Sequence, residues 1–451
     1  MMPAKAPLRR CLAVVLAAGE GKRMASRKPK VLHELAGRTM LAHVLAAIAA
    51  AGADRIAVVV GAGQDAVAAE AKRIAPQADI FVQETPLGTA HAVLAAKAAF
   101  AGGFDDVLIA FADTPLVRQA TFSGLRTALA ETGAAVVALG FEAGRPDGYG
   151  RFILDGDALV AIREHKDLAA HELDLNRCNA GLMALAGNSA LALLESIGTS
   201  NAQKEYYLTD AVALAHARGL GAAALAVAEE DVLGVNDRQQ LASAEAILQD
   251  RMRRAAMQAG VTFIDPGSVH LSFDTQFAAD VTVEPDVFFG RGVRVGAGSL
   301  IRAFSHLEGA SVGDGCIVGP FARLRPGAEL DRDVHIGNFV EVKAAHLGPG
   351  VKANHLAYIG DATIGARVNI GAGAITCNYN GFVKFKTEVG EGAFIGVNSA
   401  LVAPVKIGAG AYIGTGSVIT GDVDADALAL ARVRQIQKPG WASAFRAKNK
   451  K

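Results

Sequence analysis

The chain has 451 residues, 51% hydrophobic and 20% charged, with 45 Lys+Arg against 45 Asp+Glu. At roughly 150 residues per domain that is two or three domains, and it excludes a small disulfide-held module and a disordered polymer. Zero net charge gives no global attraction to nucleic acid or to an anionic membrane, so any polyanion must be gripped locally.

Lys5, Arg9 and Arg10 precede an apolar run from Cys11 to Ala18, which superficially resembles a secretory signal. The run leads directly into Gly19-Glu20-Gly21-Lys22-Arg23 without a cleavage region and reads as a buried strand. No stretch approaches the roughly 20 apolar residues of a membrane span. Four widely spaced cysteines, Cys11, Cys178, Cys316 and Cys377, make neither a disulfide framework nor a zinc site. A reducing, cytoplasmic setting is expected.

Up to about residue 230, short apolar strands at Leu12–Leu16, Ile56–Val60, Val107–Phe111 and Ala135–Leu139 alternate with Ala-rich helical stretches. That alternation predicts a mainly parallel sheet covered by helices. After the first strand, Gly19 and Gly21 let backbone N–H groups approach phosphate oxygens, and a helix start beyond them would add its dipole. Arg23 and Lys30 supply charge for a triphosphate. Met24 stands where a dinucleotide fold wants a third glycine, and Lys22-Arg23 where a Walker loop wants Lys-Ser/Thr, so neither motif fits. Glycines here also serve an ordinary tight turn. Asp113, at the carboxyl end of the strand ending at Phe111, is a hard oxygen donor suited to Mg²⁺, though Asp-Thr-Pro is also a turn former.

Residues 237–259, rich in Ala, Leu, Gln and Arg, read as a long helix. Beyond it the period becomes six: Val283, Phe289, Val295, Ile301 and Leu307, then Val312, Val318, Leu324, Leu330, Ile336 and Val342. Shorter steps reach Leu347, Ile359, Ile364 and Ile370, and a last run covers Val389, Ile395, Leu401, Ile407, Ile413 and Ile419. Residues 281–421 hold 25 of the 50 glycines. One inward aliphatic and one small residue per six suit a hexapeptide parallel β-helix with three units to a coil. Such a stack can also act only as a scaffold.

The hexapeptide run resembles the left-handed β-helix acyltransferases, whose coils associate as trimers with acyl-CoA between neighbours. Leu16–Met24 followed by Pro29-Lys30 resembles the sugar-nucleotidyltransferase signature. Gln83 with Leu87-Gly88-Thr89-Ala90, Phe111–Leu116, Gly148-Tyr149-Gly150-Arg151 with Glu164-His165-Lys166-Asp167, Asn179-Ala180-Gly181, Glu205–Asp210 and Gly234-Val235-Asn236 match its uridylyltransferase branch. In the solenoid, Phe321–Gly327, Gly337–Lys343, His355–Tyr358, Asn369–Gly373 and Thr376–Tyr379 complete a near end-to-end resemblance to the bacterial bifunctional family that acetylates glucosamine-1-phosphate and then uridylylates it.

The resemblance implies a Rossmann-like nucleotidyltransferase domain at 1–236, a linker helix at 237–260 and a left-handed β-helix acetyltransferase domain with a tail at 261–451. It implies UTP contacts at Leu16, Ala17, Ala18, Gly19 and Lys30, catalytic charge from Arg23 and Lys30, and uracil recognition by Gln83, Gly88 and Thr89. The sugar phosphate falls to Gly150, Glu164 and Asn179, and Mg²⁺ to Asp113 and Asn236. In the solenoid it makes His355 the general base, since imidazole ordinarily titrates near neutrality. Arg325, Lys343, Tyr358, Asn369 and Lys384 bind the amino-sugar phosphate, with Glu341 orienting a neighbour. Acetyl-CoA falls to Ala372, Asn378, Tyr379, Val397, Thr415 and Arg432. Val397 and Thr415 replace a small hydroxyl residue and an alanine of the usual pattern, Lys22 a threonine, and Ala112 a glycine. The implied partners are small molecules and two further copies of the chain, without nucleic acid or membrane. A protein with one decayed site, or a sugar-nucleotide sensor on the same folds, are the alternatives.

Overall fold

The structure is a computed structural model describing residues 9–19, 21–156 and 158–450. Lys5, Glu20 and Lys451 lie outside the described residues. The chain divides into two compact units between Leu248 and Gln249, inside the expected linker helix.

In the first unit, β1 (Cys11–Leu16) leads through two single 3-10 turns to a ribbon, β2 (Glu34–Leu35) and β3 (Arg38–Thr39), and to α1 (Met40–Ala50). There follow β4 (Arg55–Gly61), α2 (Asp65–Ile74), β5 (Asp79–Gln83), α3 (Thr89–Ala95), β6 (Asp106–Phe111), α4 (Gln119–Thr132) and β7 (Val136–Glu142). The hairpin of β8 (Arg151–Asp155) and β9 (Ala158–Arg163), then β10 (Arg177–Ala186), α5 (Gly187–Leu194), α6 (Asp210–Ala217) and β11 (Ala222–Ala226) precede α7 (Arg238–Gln258).

The main sheet runs β11-β7-β10-β6-β1-β4-β5 and is parallel except for β10, which opposes β6 and β7. Central β1 sends Cys11, Ala13 and Val15 into the core on one face and Leu12, Val14 and Leu16 into the core on the other. A strand covered on both faces has no polar alternation, which is why its sequence is a continuous apolar run. From β1 the chain turns to β4 on one side, while β6 lies on the other. The crevice beyond the carboxyl ends of β1 and β6 is therefore a topological switch point, where open α/β sheets bind ligands.

The second unit is a three-sided left-handed parallel β-helix, its faces being parallel sheets of ten, eight and eight short strands. Val283 pairs with Ile301, Ile301 with Val318, and the ladder continues through Ile336, Ala353, Ile370 and Ile395 to Ile413. Every aliphatic or aromatic position of the six-residue phase is buried in one continuous core. Two positions that the aliphatic spacing skips are filled by Ala353 and by Thr376, which is buried and trades hydrogen bonds with the Gly360 backbone. Each buried aliphatic side chain contributes roughly 1.5–3 kcal/mol, so the stack is held by repetition. One coil is longer: Ile375 pairs with Ala400, and the extra residues form the exposed loop carrying Tyr379, Phe382 and Lys384.

One corner of the coils is unusual. Phe304, Phe321, Phe339 and Leu356 occupy successive coils with φ of 60°, 56°, 57° and 54°. Left-handed backbone is costly for bulky residues. The three rings stack at 4.9 and 5.2 Å, and all four side chains are exposed.

Candidate active sites

The nucleotide crevice is built from the turn after β1. Gly21 has φ of 64°, and a Cβ there would lie 2.5 Å from the Cβ of Lys30, so only glycine lets Lys30 pack beneath the loop. The expected helix start is not there. The chain makes one 3-10 turn at Lys22–Met24, left through Ala25 at φ 47°, and the first α-helix begins only at Met40. Among the described residues no α-helix starts between the loop and Met40, which leaves cationic side chains to carry the charge. Lys30, buried at the start of a second 3-10 turn, reaches Asp113 with its ammonium and Asn236 Oδ1 at 3.2 Å. Arg23 is exposed on the first turn, outside the lining of the crevice.

Asp113 sits in the turn after β6, where Thr114 Oγ1 donates to the Phe111 carbonyl at 2.8 Å. The Asp113 carbonyl accepts from Val235 N at 2.8 Å, which brings Asn236 alongside. Asp113 and Asn236 are oxygen donors already gathered around one cation. Mg²⁺ needs only one or two such protein oxygens besides phosphates and waters, so the pair fits it.

Two cavities meet at Asp113. One is lined by Leu16, Ala17, Ala18, Gly19 and Lys30 on one side and Gln83, Gly88 and Thr89 on the other. Buried Gln83 donates to the Gly88 carbonyl at 3.2 Å and contacts His91 Nδ1 at 3.1 Å. Gly88 has φ of 120°, and a Cβ would come within 2.6 Å of Tyr206 O. Thr89 Oγ1 accepts from Leu208 N at 2.9 Å, so the Glu205–Asp210 segment braces this wall. The second cavity is lined by Gly150, Glu164, Asn179 and Asn236 and shares Asp113 and Phe111 with the first. Burial pushes the Glu164 carboxyl above the usual range, against a 3.0 Å hydrogen bond from Thr209 Oγ1, with Asp210 and Asp167 adding repulsion.

On the solenoid, His355 ends one strand and is bonded through Nδ1 to Asn338 Oδ1 at 2.7 Å, one coil below. An amide oxygen only accepts, so Nδ1 carries the proton and Nε2 keeps its lone pair for substrate. Asn338 lies inside a motif read from the sequence but was given no role there; only the coil register brings it to His355. The same column continues upward through Ala372, Val397 and Thr415: Gly373 N bonds His355 O, Asn398 N bonds Ala372 O, and Gly416 N bonds Val397 O. Arg432 is exposed just past this corner, where Val418 N bonds the Ala431 carbonyl.

Around the corner, Arg325, Lys343 and Tyr358 follow one another on an eight-stranded face, with Lys384 arriving from the long loop. Arg325 Nη1 donates to Glu341 Oε1 at 2.8 Å, so Glu341 orients the guanidinium and holds its pKa up. The Lys384 ammonium beside Lys343 pulls the Lys343 pKa down. Two ammoniums held together beside an arginine form a seat for a doubly charged anion. Asn378 is buried and bonded to Asp361, while Tyr379 is largely exposed. Asn369 is not with the cations: it stands on the ten-stranded face.

The comparisons with known proteins agree with both halves. The MobA-like NTP transferase domain matches residues 13–208, and the bacterial transferase hexapeptide (six repeats) matches 386–421. The bifunctional protein GlmU of Xanthobacter autotrophicus is 62% identical over 98% of this chain and 99% of its own length. GlmU of Azorhizobium caulinodans is 60% identical over 97% and 98%, and that of Agrobacterium fabrum 52% over 98% and 97%. The chain belongs to the GlmU family. As a GlmU it is a bifunctional enzyme of UDP-N-acetylglucosamine biosynthesis, an acetyltransferase in its hexapeptide half and a uridylyltransferase in the other. Among the described residues no helix is long and apolar enough to cross a membrane.

Proposed function

We propose how the residues divide this work. UTP lies along Leu16–Gly19 with its uracil against Gln83, Gly88 and Thr89. N-acetylglucosamine-1-phosphate enters beside Gly150, Glu164 and Asn179. Its phosphate oxygen attacks the α-phosphorus of UTP, the bond to the β-phosphate breaks, and pyrophosphate leaves. That nucleophile is already ionised at neutral pH, so the protein supplies charge and alignment rather than a base. Lys30 neutralises the phosphates, and exposed Arg23 reaches them only if its turn folds inward. Asp113 and Asn236 hold Mg²⁺, which when bound offsets the charge on the phosphates. The meeting of the two cavities at Asp113 carries this reading.

At the other site His355 Nε2 takes a proton from the amine of glucosamine-1-phosphate as the nitrogen attacks the thioester carbonyl of acetyl-CoA. Coenzyme A thiolate departs, leaving the acetylated sugar. Arg325, Lys343, Tyr358, Lys384 and Asn369 receive the sugar phosphate. Ala372, Val397 and Thr415, in the column above His355, receive the coenzyme together with Asn378, Tyr379 and Arg432.

Because Asn369 stands on a different face from the cations, we infer that the complete pocket forms between copies in a homotrimer. Support comes from the corner beside His355, where exposed aromatic rings occupy backbone that glycine would adopt without cost. Free, mostly buried cysteines and the two metabolite substrates suit the cytoplasm.

The test is a coupled assay with each substrate omitted in turn. Lys30→Ala is expected to lower uridylyl transfer by roughly a hundredfold or more and leave acetyl transfer intact, and His355→Ala to do the reverse. Loss of both activities in either variant, or of neither, would overturn the division of labour.

A further inference from the structure

Arg151 begins β8 and is completely buried, the bulkiest of the fully buried side chains. No carboxylate pairs with it among the described residues, and its Nε has no partner. Its Nη1 donates to the Tyr149 carbonyl at 2.5 Å, its partner across the hairpin is Arg163 on β9, and on its other side it is paired with Cys178 of β10, whose thiol is buried. Burying a cation without a counter-ion is expensive, and a well-packed apolar side chain of similar volume is often as good or better for stability. The fold alone therefore gives no reason for an arginine here.

The acceptor suggests one. The Tyr149 carbonyl and the Gly150 N–H belong to one planar peptide unit and point in opposite directions. A charge-assisted bond to the oxygen fixes that plane and strengthens the N–H as a donor. Gly150 is buried and lines the second cavity, and its N–H has no acceptor among the described residues. Its carbonyl is already taken by Asn179 N at 2.9 Å.

We propose that Arg151 is a positioning residue for uridylyl transfer: through the Tyr149–Gly150 peptide it aims and polarises the Gly150 N–H toward a sugar hydroxyl or phosphate oxygen. The proposal rests on reading the second cavity as the sugar-phosphate site.

The test uses the full chain with Arg151→Met, Arg151→Lys and, as a control on the pocket, Asn179→Ala. KM is measured separately for N-acetylglucosamine-1-phosphate and UTP, together with acetyl transfer and Tm. Arg151→Met is expected to raise the sugar-phosphate KM about tenfold, with the UTP KM and acetyl transfer within about twofold and Tm unchanged or higher. Arg151→Lys, keeping charge but not the fork, is expected to raise that KM about threefold. Wild-type sugar KM in both variants, or equal losses toward both substrates with a lowered Tm, overturns the proposal. If Arg151→Met does not fold, the Lys variant decides alone: a rise confined to the sugar phosphate supports the proposal, anything else overturns it. An unchanged sugar KM in Asn179→Ala as well removes the pocket itself, whereas a rise there without one in the Arg151 variants removes only Arg151.

Discussion

Glu164 shows how one half-buried carboxyl couples stability to the proposed function in opposite senses. Burial raises its pKa above that of an exposed glutamate. The folded state thus holds its proton more tightly than the unfolded one, and its contribution to stability is full below the ordinary glutamate pKa and lost as pH rises through the raised value. Sugar hydroxyls, in contrast, donate best to the ionised form. Sugar-phosphate KM for uridylyl transfer is therefore expected to rise on acidification already above the ordinary glutamate range. Glu164→Gln is expected to flatten that limb, raise KM by about tenfold and leave Tm at neutral pH no lower than wild type. Kinetics from pH 5 to 8 would expose the alternative, an acid limb unaffected by the substitution. At this scale the sequence made the side chains with obvious chemistry legible: Lys30, Asp113, Glu164 and His355 all occur in recognisable neighbourhoods. The groups that orient them were not. Asn338 and His355 are 17 residues apart and meet only because one coil has that length. Thr209 meets Glu164 across 45 residues through the packing of α6 against β9.

Among elements, turns decide where the chemistry sits. The six-residue phase was readable because inward aliphatics recur regardless of what the outer faces do, and the structure buries every one of them. The helix expected after Gly21 is replaced by a single 3-10 turn: glycines after a strand signal close backbone approach but do not say whether a helix follows, and Pro29 disfavours helix just before it. Gly88 is the more demanding turn. Its φ of 120° and the 2.6 Å approach of a Cβ to Tyr206 O leave no room for alanine. Gly88→Ala must push α3 from the Tyr206 segment, against strain of roughly 1–3 kcal/mol. It is expected to raise the UTP KM by at least about tenfold while acetyl transfer stays at wild-type level. A UTP KM within twofold of wild type would mean that this wall does not touch the base.

For the whole molecule, the two halves make different demands on assembly. Both walls of the nucleotide crevice, with Lys30, Asp113 and Asn236, come from one unit of one chain, so the site proposed for uridylyl transfer draws on no partner. The residues proposed for the acetyl site are divided between two faces of a triangular stack, Lys343 on an eight-stranded face and Asn369 on the ten-stranded one. A second copy placed against the Phe304–Phe321–Phe339 corner would bring the two faces together and cover the rings, whose burial is worth about 25 cal/mol per Å². Paired Phe304→Glu and Phe321→Glu substitutions place charge in that corner, while His355 and its partner Asn338 lie on later coils. Sedimentation should then find monomers, against the trimer expected of the wild-type protein. Acetyl transfer should fall by roughly a hundredfold or more while uridylyl transfer stays within about twofold. A double variant that remains trimeric, or a monomer that still acetylates at full rate, would return the acetyl site to a single chain and leave the aromatic corner without a function.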